Sequence, residues 1–229
     1  MKSVIHTPTN NIKESLDFYT SLQFKVISDK DPTVVTDGKA IIEINPDRFA
    51  RAGLKLYKNT WRKEVAELEK TTAVTQLETG HLLSDASGVW IYLVEGSPGF
   101  EFEPKESSFA VPGKFAGLSL ETTDLARSAS IWTALGFTNS AGNTEAPYIA
   151  CVSEDGLTVS VMKPLNCPHL FFNPSLTYFN GGQNLPVIEK IRKAGIPISE
   201  EITYFNKQGI VDNIIIRDPG GYGFFVFND

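Results

Sequence analysis

Apolar positions along this chain switch between two periods, and the switch recurs. A short alternating stretch, Ser3–Thr7, gives way to helical spacing with Ile12, Leu16, Tyr19 and Leu22 on one stripe. Asn11 stands before that stripe as an N-cap, its side chain suited to accept from an otherwise orphaned backbone N–H. A strand-rich region follows and closes on a Gly-led apolar run, Asp37–Ile44. The same order returns as the strand Phe115–Leu120, the N-cap Asp124, a stripe of Leu125, Ile131 and Leu135, and the run Asp155–Met162. The segments Asn11–Phe24 and Asp124–Phe137 align at a constant offset of 113 (124 minus 11), pairing Tyr19 with Trp132, Leu22 with Leu135 and Phe24 with Phe137. Each copy predicts one strand, one helix and three strands.

Two weaker copies fill the gaps. One runs from Gly53–Tyr57 through a helix near Trp61–Glu69 to Asp85–Leu93, the other from Ser175–Phe179 through a helix near Pro186–Ala194 to Asp218–Val226. Their ends align at an offset of 133 (218 minus 85), matching Asp85 with Asp218 and Gly88 with Gly221. Pro186 suits a first helical turn and Gly195 a C-cap. The stretch from Glu95 to Gly113, rich in Pro, Gly and charge, reads as a linker, with the acidic run Glu101–Glu106 solvated. The predicted fold is α+β: four βαβββ units forming two domains, residues 1–107 and 108–229, each of curved mixed β-sheet with helices on its outer face.

Composition narrows the functions open to such a chain. Of 229 residues 41% are hydrophobic and 21% charged, the balance of a folded globular protein. A net charge of −6 disfavours nucleic acid, which demands a basic face. No apolar run approaches the roughly 20 residues of a membrane-spanning helix, and the N-terminus lacks the apolar core of a secretory signal. Cys151 and Cys167 are the only cysteines, which fits structural thiols in a reducing cytoplasm. No phosphate loop and no nucleophilic triad is legible.

An N-capped helix of the form D-L-x-x-S-x-x-F-Y-x-x-L-G-F after a strand, and a D-P-x-G-x-x-I-E-L terminus, resemble the vicinal oxygen chelate superfamily of glyoxalases, bleomycin-resistance proteins and extradiol dioxygenases. Asn11–Phe24, Asp124–Phe137 and Arg217–Phe225 carry the match. The resemblance implies a cavity holding a divalent metal, with His or Gln from first strands and Glu from last strands. The implied first-strand positions fall on Val4 and Gly117, and near Leu54 and Leu176; none is a ligand. The implied last-strand positions fall on Glu43, Tyr92, Ser160 and Phe225, of which Glu43 alone could bind a metal. His6 shares the Val4 face by period two, so His6 and Glu43 are the candidate catalytic pair, short of the three ligands a catalytic divalent site needs. His81 and His169 fall in predicted loops and are assigned no role. The reading assigns no metal ligands and no cofactor.

Alternation gives the first half a cavity face of Val4, His6, Glu43, Trp90 and Tyr92. The second half gains Ser119, Glu121, Thr158, Ser160, Met162, Phe225 and Phe227, with Tyr178 added. The ligand-binding set is therefore His6, Glu43, Trp90, Tyr92, Ser119, Glu121, Ser160 and Tyr178. The sequence favours a cytoplasmic, metal-independent small-molecule binder, monomer or homodimer. Its rivals are a lyase or isomerase of glyoxalase type acting through Glu43 and His6, and a structural or interaction module with filled cavities.

Overall fold

The computed structural model describes residues 1–167 and 173–229. The first unit comprises β1 (Lys2–Pro8), α1 (Ile12–Ser21), β2 (Lys25–Ser28), β3 (Thr33–Thr36) and β4 (Ile41–Asn45). The second comprises β5 (Gly53–Lys58), α2 (Arg62–Leu68), β6 (Thr75–Leu77), β7 (Gly80–Ser84) and β8 (Trp90–Glu95). The third is β9 (Lys114–Glu121), α3 (Leu125–Ala134), β10 (Thr138–Gly142), β11 (Tyr148–Val152) and β12 (Thr158–Met162). The fourth is β13 (Ser175–Phe179), α4 (Asn184–Lys193), β14 (Ile198–Ile202), β15 (Asn213–Arg217) and β16 (Gly223–Phe227). All four units therefore follow the predicted βαβββ order.

These strands build two eight-stranded mixed sheets with one topology: β2-β3-β4-β1-β5-β8-β7-β6 and β10-β11-β12-β9-β13-β16-β15-β14. The α+β assignment holds. In the second, third and fourth units the first strand runs parallel to the last. A parallel neighbour cannot be reached by a hairpin, so the chain must cross over, and the helix makes the crossing. By contact, residues group into two compact units. One holds Met1–His6, Arg51–Glu101 and Leu118–Pro174; the other holds Thr7–Ala50, Phe102–Gly117 and Ser175–Asp229.

The caps behave as the sequence indicates. Asn11 Oδ1 accepts from Glu14 N at 3.3 Å and Asp124 Oδ1 from Arg127 N at 3.0 Å. Pro186 lies in the first turn of α4, and Gly195 follows its end at φ +70°. The buried stripe of α1 differs from the expected one: Ile12 is exposed, Leu16 is half-buried, and Ser15 is buried with Tyr19. Ser15 can be buried because its hydroxyl donates to Thr9 Oγ1 at 2.7 Å.

Aspartates at the turns before the last strands are the main polar anchors. In the first compact unit Asp85 Oδ2 accepts from Ser128 Oγ at 3.0 Å and Trp132 Nε1 at 3.1 Å on α3. Asp155 there accepts from Ser3 N at 2.5 Å and Ser3 Oγ at 3.0 Å. In the second unit Asp218 Oδ2 accepts from Thr7 Oγ1 at 2.7 Å and Tyr19 OH at 2.8 Å, while Tyr222 N donates to Oδ1 at 2.7 Å. Asp37 Oδ1 accepts from Lys39 N at 2.7 Å and Ala40 N at 2.6 Å, with the hydroxyls of Tyr178 and Ser108 beside the carboxylate. Burial pushes the carboxyls of Asp37 and Asp218 up, against the pull of these donors.

Two loop expectations change. The linker's acidic side chains are exposed, yet its backbone is tied to the second compact unit: Lys105 N donates to Gly38 O at 2.6 Å, Phe109 N to Asp37 O at 2.7 Å and Val111 N to Leu22 O at 2.9 Å. It is a strap hydrogen-bonded to the β3–β4 turn rather than a solvated tether. His81 is not in a loop but within β7, opposite Leu93. His169 lies outside the described residues. Among the described residues no helix is long and apolar enough to cross a membrane, and no disulfide forms.

Trp132→Phe removes one donor from buried Asp85 and is expected to cost about 1–3 kcal/mol in urea unfolding. A cycle with Asp85→Asn is expected to give a clearly non-additive coupling, because the two side chains share one hydrogen bond.

Candidate functional site

Strand registers define the open face within the first compact unit. Val4 pairs with Lys55, Lys55 with Tyr92 and Tyr92 with Leu82, making one row across four strands. The next row is His6, Gly53, Trp90 and Ser84. The intervening row, Ile5, Leu54, Ile91 and Leu83, is wholly buried on the other face. Along β8 burial alternates, with Trp90, Tyr92 and Val94 half-buried between buried Ile91 and Leu93. A sheet with one packed face and one partly open face shows this alternation.

The registers put His6, Trp90 and Tyr92 side by side. The His6 and Tyr92 rings meet edge-on at 4.9 Å between centroids, and Trp90 lies 6.0 Å from Tyr92. The Arg51 guanidinium sits 5.7 Å over the Trp90 ring and Lys55 Nζ 6.0 Å from the Tyr92 centroid. Gly53 allows β5 to approach β8: a Cβ there would fall 2.2 Å from the Trp90 carbonyl oxygen.

His6 is 1% exposed, and its Nδ1 lies 2.8 Å from the Arg51 carbonyl oxygen. A carbonyl only accepts, so Nδ1 carries the proton and Nε2 of the neutral ring is an acceptor. Burial first, then the positive charge of Lys55, lower its pKa from 6.5 to about 4; the Arg51 hydrogen bond opposes them. The imidazole is neutral at pH 7.

The remaining candidates are carried by other strands. Glu43, 2% exposed, is in β4 opposite Val34 and belongs to the second compact unit, where Asn45 Nδ2 donates to its Oε1 at 3.5 Å. Ser119 and Ser160 face each other across β9 and β12 in the second sheet. Ala150 pairs with Ser160 beside them. Glu121 pairs with Met162, and its Oε2 accepts from Leu165 N at 3.2 Å, holding the loop after β12.

Tyr178 is a correction. It pairs with Val226, opposite Ile214, and stacks on Phe224 at 5.8 Å in a fully buried layer. The side chain of Thr177, paired with Phe225, shares the other face. Assigning Tyr178 to a cavity slipped the strand by one residue, which inverts every side chain. The same slip affects Leu54 and Leu176, which are on buried faces. The residue missed is Lys55. The alternation Leu54-Lys55-Leu56 held the signal, since two buried leucines send the residue between them to the open side.

The metal implied by the resemblance does not fit this row. Where imidazole and carboxylate donors belong, the row offers an alkyl group, an ammonium and a phenol. An ammonium repels a divalent cation instead of coordinating it. Among the described residues no group of three His, Cys, Asp or Glu is placed to hold a metal.

No family model matches the chain, and no curated protein matches it in sequence. Solved structures do match its fold. The 2,3-dioxygenase LapB from Pseudomonas sp. KL28 superposes with a TM-score of 0.59 at 15% identity, covering 99% of this chain and 91% of its own. A variant of 4-hydroxymandelate synthase from Streptomyces coelicolor gives 0.59 at 12% identity, covering 97% and 90%. The Mn(II)-bound glyoxalase from Novosphingobium aromaticivorans gives 0.56 at 12% identity, covering 97% and 79%. The chain therefore carries the fold of the vicinal oxygen chelate superfamily, in its form with four βαβββ units.

The lowered His6 pKa has a stability consequence with a defined sign. The unfolded chain takes up a proton near pH 6.5 that the folded chain refuses until about pH 4. Stability is complete above pH 6.5 and falls as pH drops through that window, by about 3 kcal/mol at most. His6→Asn keeps a donor for the Arg51 carbonyl and does not titrate. Urea midpoints measured between pH 7 and 4.5 are expected to fall less steeply in this variant than in the wild type.

Proposed function

We propose that this chain is a metal-independent small-molecule-binding protein of the glyoxalase/bleomycin-resistance type, with its ligand on the His6, Trp90 and Tyr92 face. The observation that carries the reading is the row Val4–Lys55–Tyr92, which lacks the superfamily's metal donors while keeping an open, aromatic face. Aromatic side chains beside a few polar groups are what small-molecule sites offer. The reading takes the protein as cytoplasmic, monomeric or homodimeric, and without nucleic-acid or membrane partners.

One observation favours a second reading. His6 is buried, held in one tautomer by the Arg51 carbonyl, and neutral at pH 7. A fixed neutral imidazole can take a proton, so a lyase or isomerase of glyoxalase type, with His6 and Glu43 in acid–base roles, is the rival.

Elemental analysis of the purified protein discriminates. The expected result is less than one-tenth equivalent of Mn, Fe, Ni, Zn and Co together, with no rise in melting temperature when these ions are added. Stoichiometric metal that survives dialysis, or a metal-dependent stabilisation, overturns the proposal.

A further inference from the structure

The turn between β13 and α4 reads Asn180-Gly181-Gly182, and Asn180 is the one asparagine of the chain that glycine follows. That dipeptide has a chemistry of its own. The glycine nitrogen, unhindered by a side chain, can attack the asparagine Cγ and expel ammonia, and water then opens the cyclic imide to aspartate or isoaspartate. Here the reacting groups are clamped, by partners that all belong to the second compact unit. Asn180 Nδ2 donates to Pro112 O at 3.0 Å and to Asn184 Oδ1 at 2.8 Å. Gly181 N donates to Asp229 Oδ1, which also accepts from Asn180 N at 3.2 Å. The turn itself is tied by Gly182 N to Asn228 O at 2.7 Å and by Gln183 N to Asn180 O at 3.0 Å. Gly113 closes over the amide: a Cβ there would fall 2.0 Å from Asn180 Oδ1.

We propose that Asn180–Gly181 is a self-modification site, where deamidation is slowed by this clamp and its product unfastens the end of the strap at Pro112. In the step, the Gly181 nitrogen gives its proton to solvent and bonds to Asn180 Cγ. The Cγ–Nδ2 bond breaks, and Nδ2 leaves as ammonia with a proton from solvent. Water then adds to one imide carbonyl and breaks that carbonyl's bond to nitrogen. Two features of the fold oppose this. Negative charge must build on the Gly181 nitrogen, directly beside the Asp229 carboxylate that holds its N–H. The Asn180 amide must also swing toward Gly181, which breaks both Nδ2 bonds. The rate therefore follows the population of the opened turn. The product does not fit the closed turn. A carboxylate at this position only accepts, and it would face the Pro112 carbonyl and Asn184 Oδ1, which only accept as well. Asn184 cannot turn its amide round to help, because Nδ2 is committed to Asp212 O at 2.6 Å and Val226 O at 2.9 Å. Pro112 has no N–H to offer. Both bonds are lost, and the strap keeps only its ties through Lys105, Phe109 and Val111.

The test incubates the full chain in mildly alkaline buffer at body temperature, folded and in urea, and follows conversion of each asparagine by peptide mass spectrometry. In urea Asn180 is expected to convert faster than every other asparagine, and folding is expected to slow it about tenfold or more. Asp229→Ala is expected to raise the folded rate about threefold or more, with Asp229→Asn, which keeps an acceptor without the charge, in between. Melting temperature confirms that both variants fold. Asn180→Asp, the product of the reaction, is expected to speed hydrogen exchange at the Val111 and Gly113 amides while leaving the amides of β12 as they are in the wild type. If the folded and unfolded chains convert at one rate, or if Asp229→Ala leaves the folded rate unchanged, the clamp is overturned. If Asn180→Asp leaves exchange at Val111 and Gly113 unchanged, the unfastening is overturned. Absence of conversion at Asn180 under every condition overturns the site itself.

Discussion

A carboxylate buried at the turn before a last strand must find donors, and in this protein the donors available to it tie separate segments of chain together. Asp85 accepts from Ser128 and Trp132 of α3, and Asp218 from Thr7 and Tyr19 at the start of the chain. Leaving such a group unsatisfied costs more than an ordinary hydrogen bond returns, so the turns and helices that supply donors are held in register. Tyr19 and Trp132 occupy equivalent places in their helices, and Asp85 and Asp218 equivalent places in their turns. One polar contact is thus made twice, with a phenol in one copy and an indole in the other. Asp155 on Ser3 and Asp37 beside Tyr178 extend the same device to the other two turns.

The open face depends on that anchoring. With Ile91 and Leu93 committed to the buried side, Trp90 and Tyr92 have only the other side to occupy. β1 and β5 are then placed in register so that His6 and Lys55 join them. Burial keeps His6 neutral, and the nearby ammonium reinforces it. The face is therefore polar in a specific sense: a neutral imidazole and the Lys55 ammonium stand beside two aromatic rings.

Much of this is legible in the sequence. The repeat at Asn11 and Asp124 specified two helices with their caps, and the Asp-x-x-Gly turns at Asp85 and Asp218 located the ends of the second and fourth units. Period-two alternation placed His6, Trp90 and Tyr92 on one face. It failed at Tyr178 because every residue of β13 is at least half-buried, so apolar character no longer marks a face and a one-residue slip goes unnoticed. Lys55 was overlooked although its place between two buried leucines marked it. Ile12 failed differently: a first-turn residue on the helical stripe can still lie beyond the edge of what the helix covers, and Ser15 with a hydrogen-bond partner was buried instead.

The sequence by itself determined the four βαβββ units, their order and the absence of usable donors at Val4, Tyr92, Ser160 and Phe225, because each rests on local periodicity or on residue identity. Tertiary structure alone decided that Lys55 stands between Val4 and Tyr92, that Asp85 and Asp218 answer Trp132 and Tyr19, and that the linker is strapped to the β3–β4 turn. Those facts are pairings between residues far apart in the chain. Pairing depends on strand register and on which buried polar groups satisfy one another, and neither is written in the spacing of any single segment.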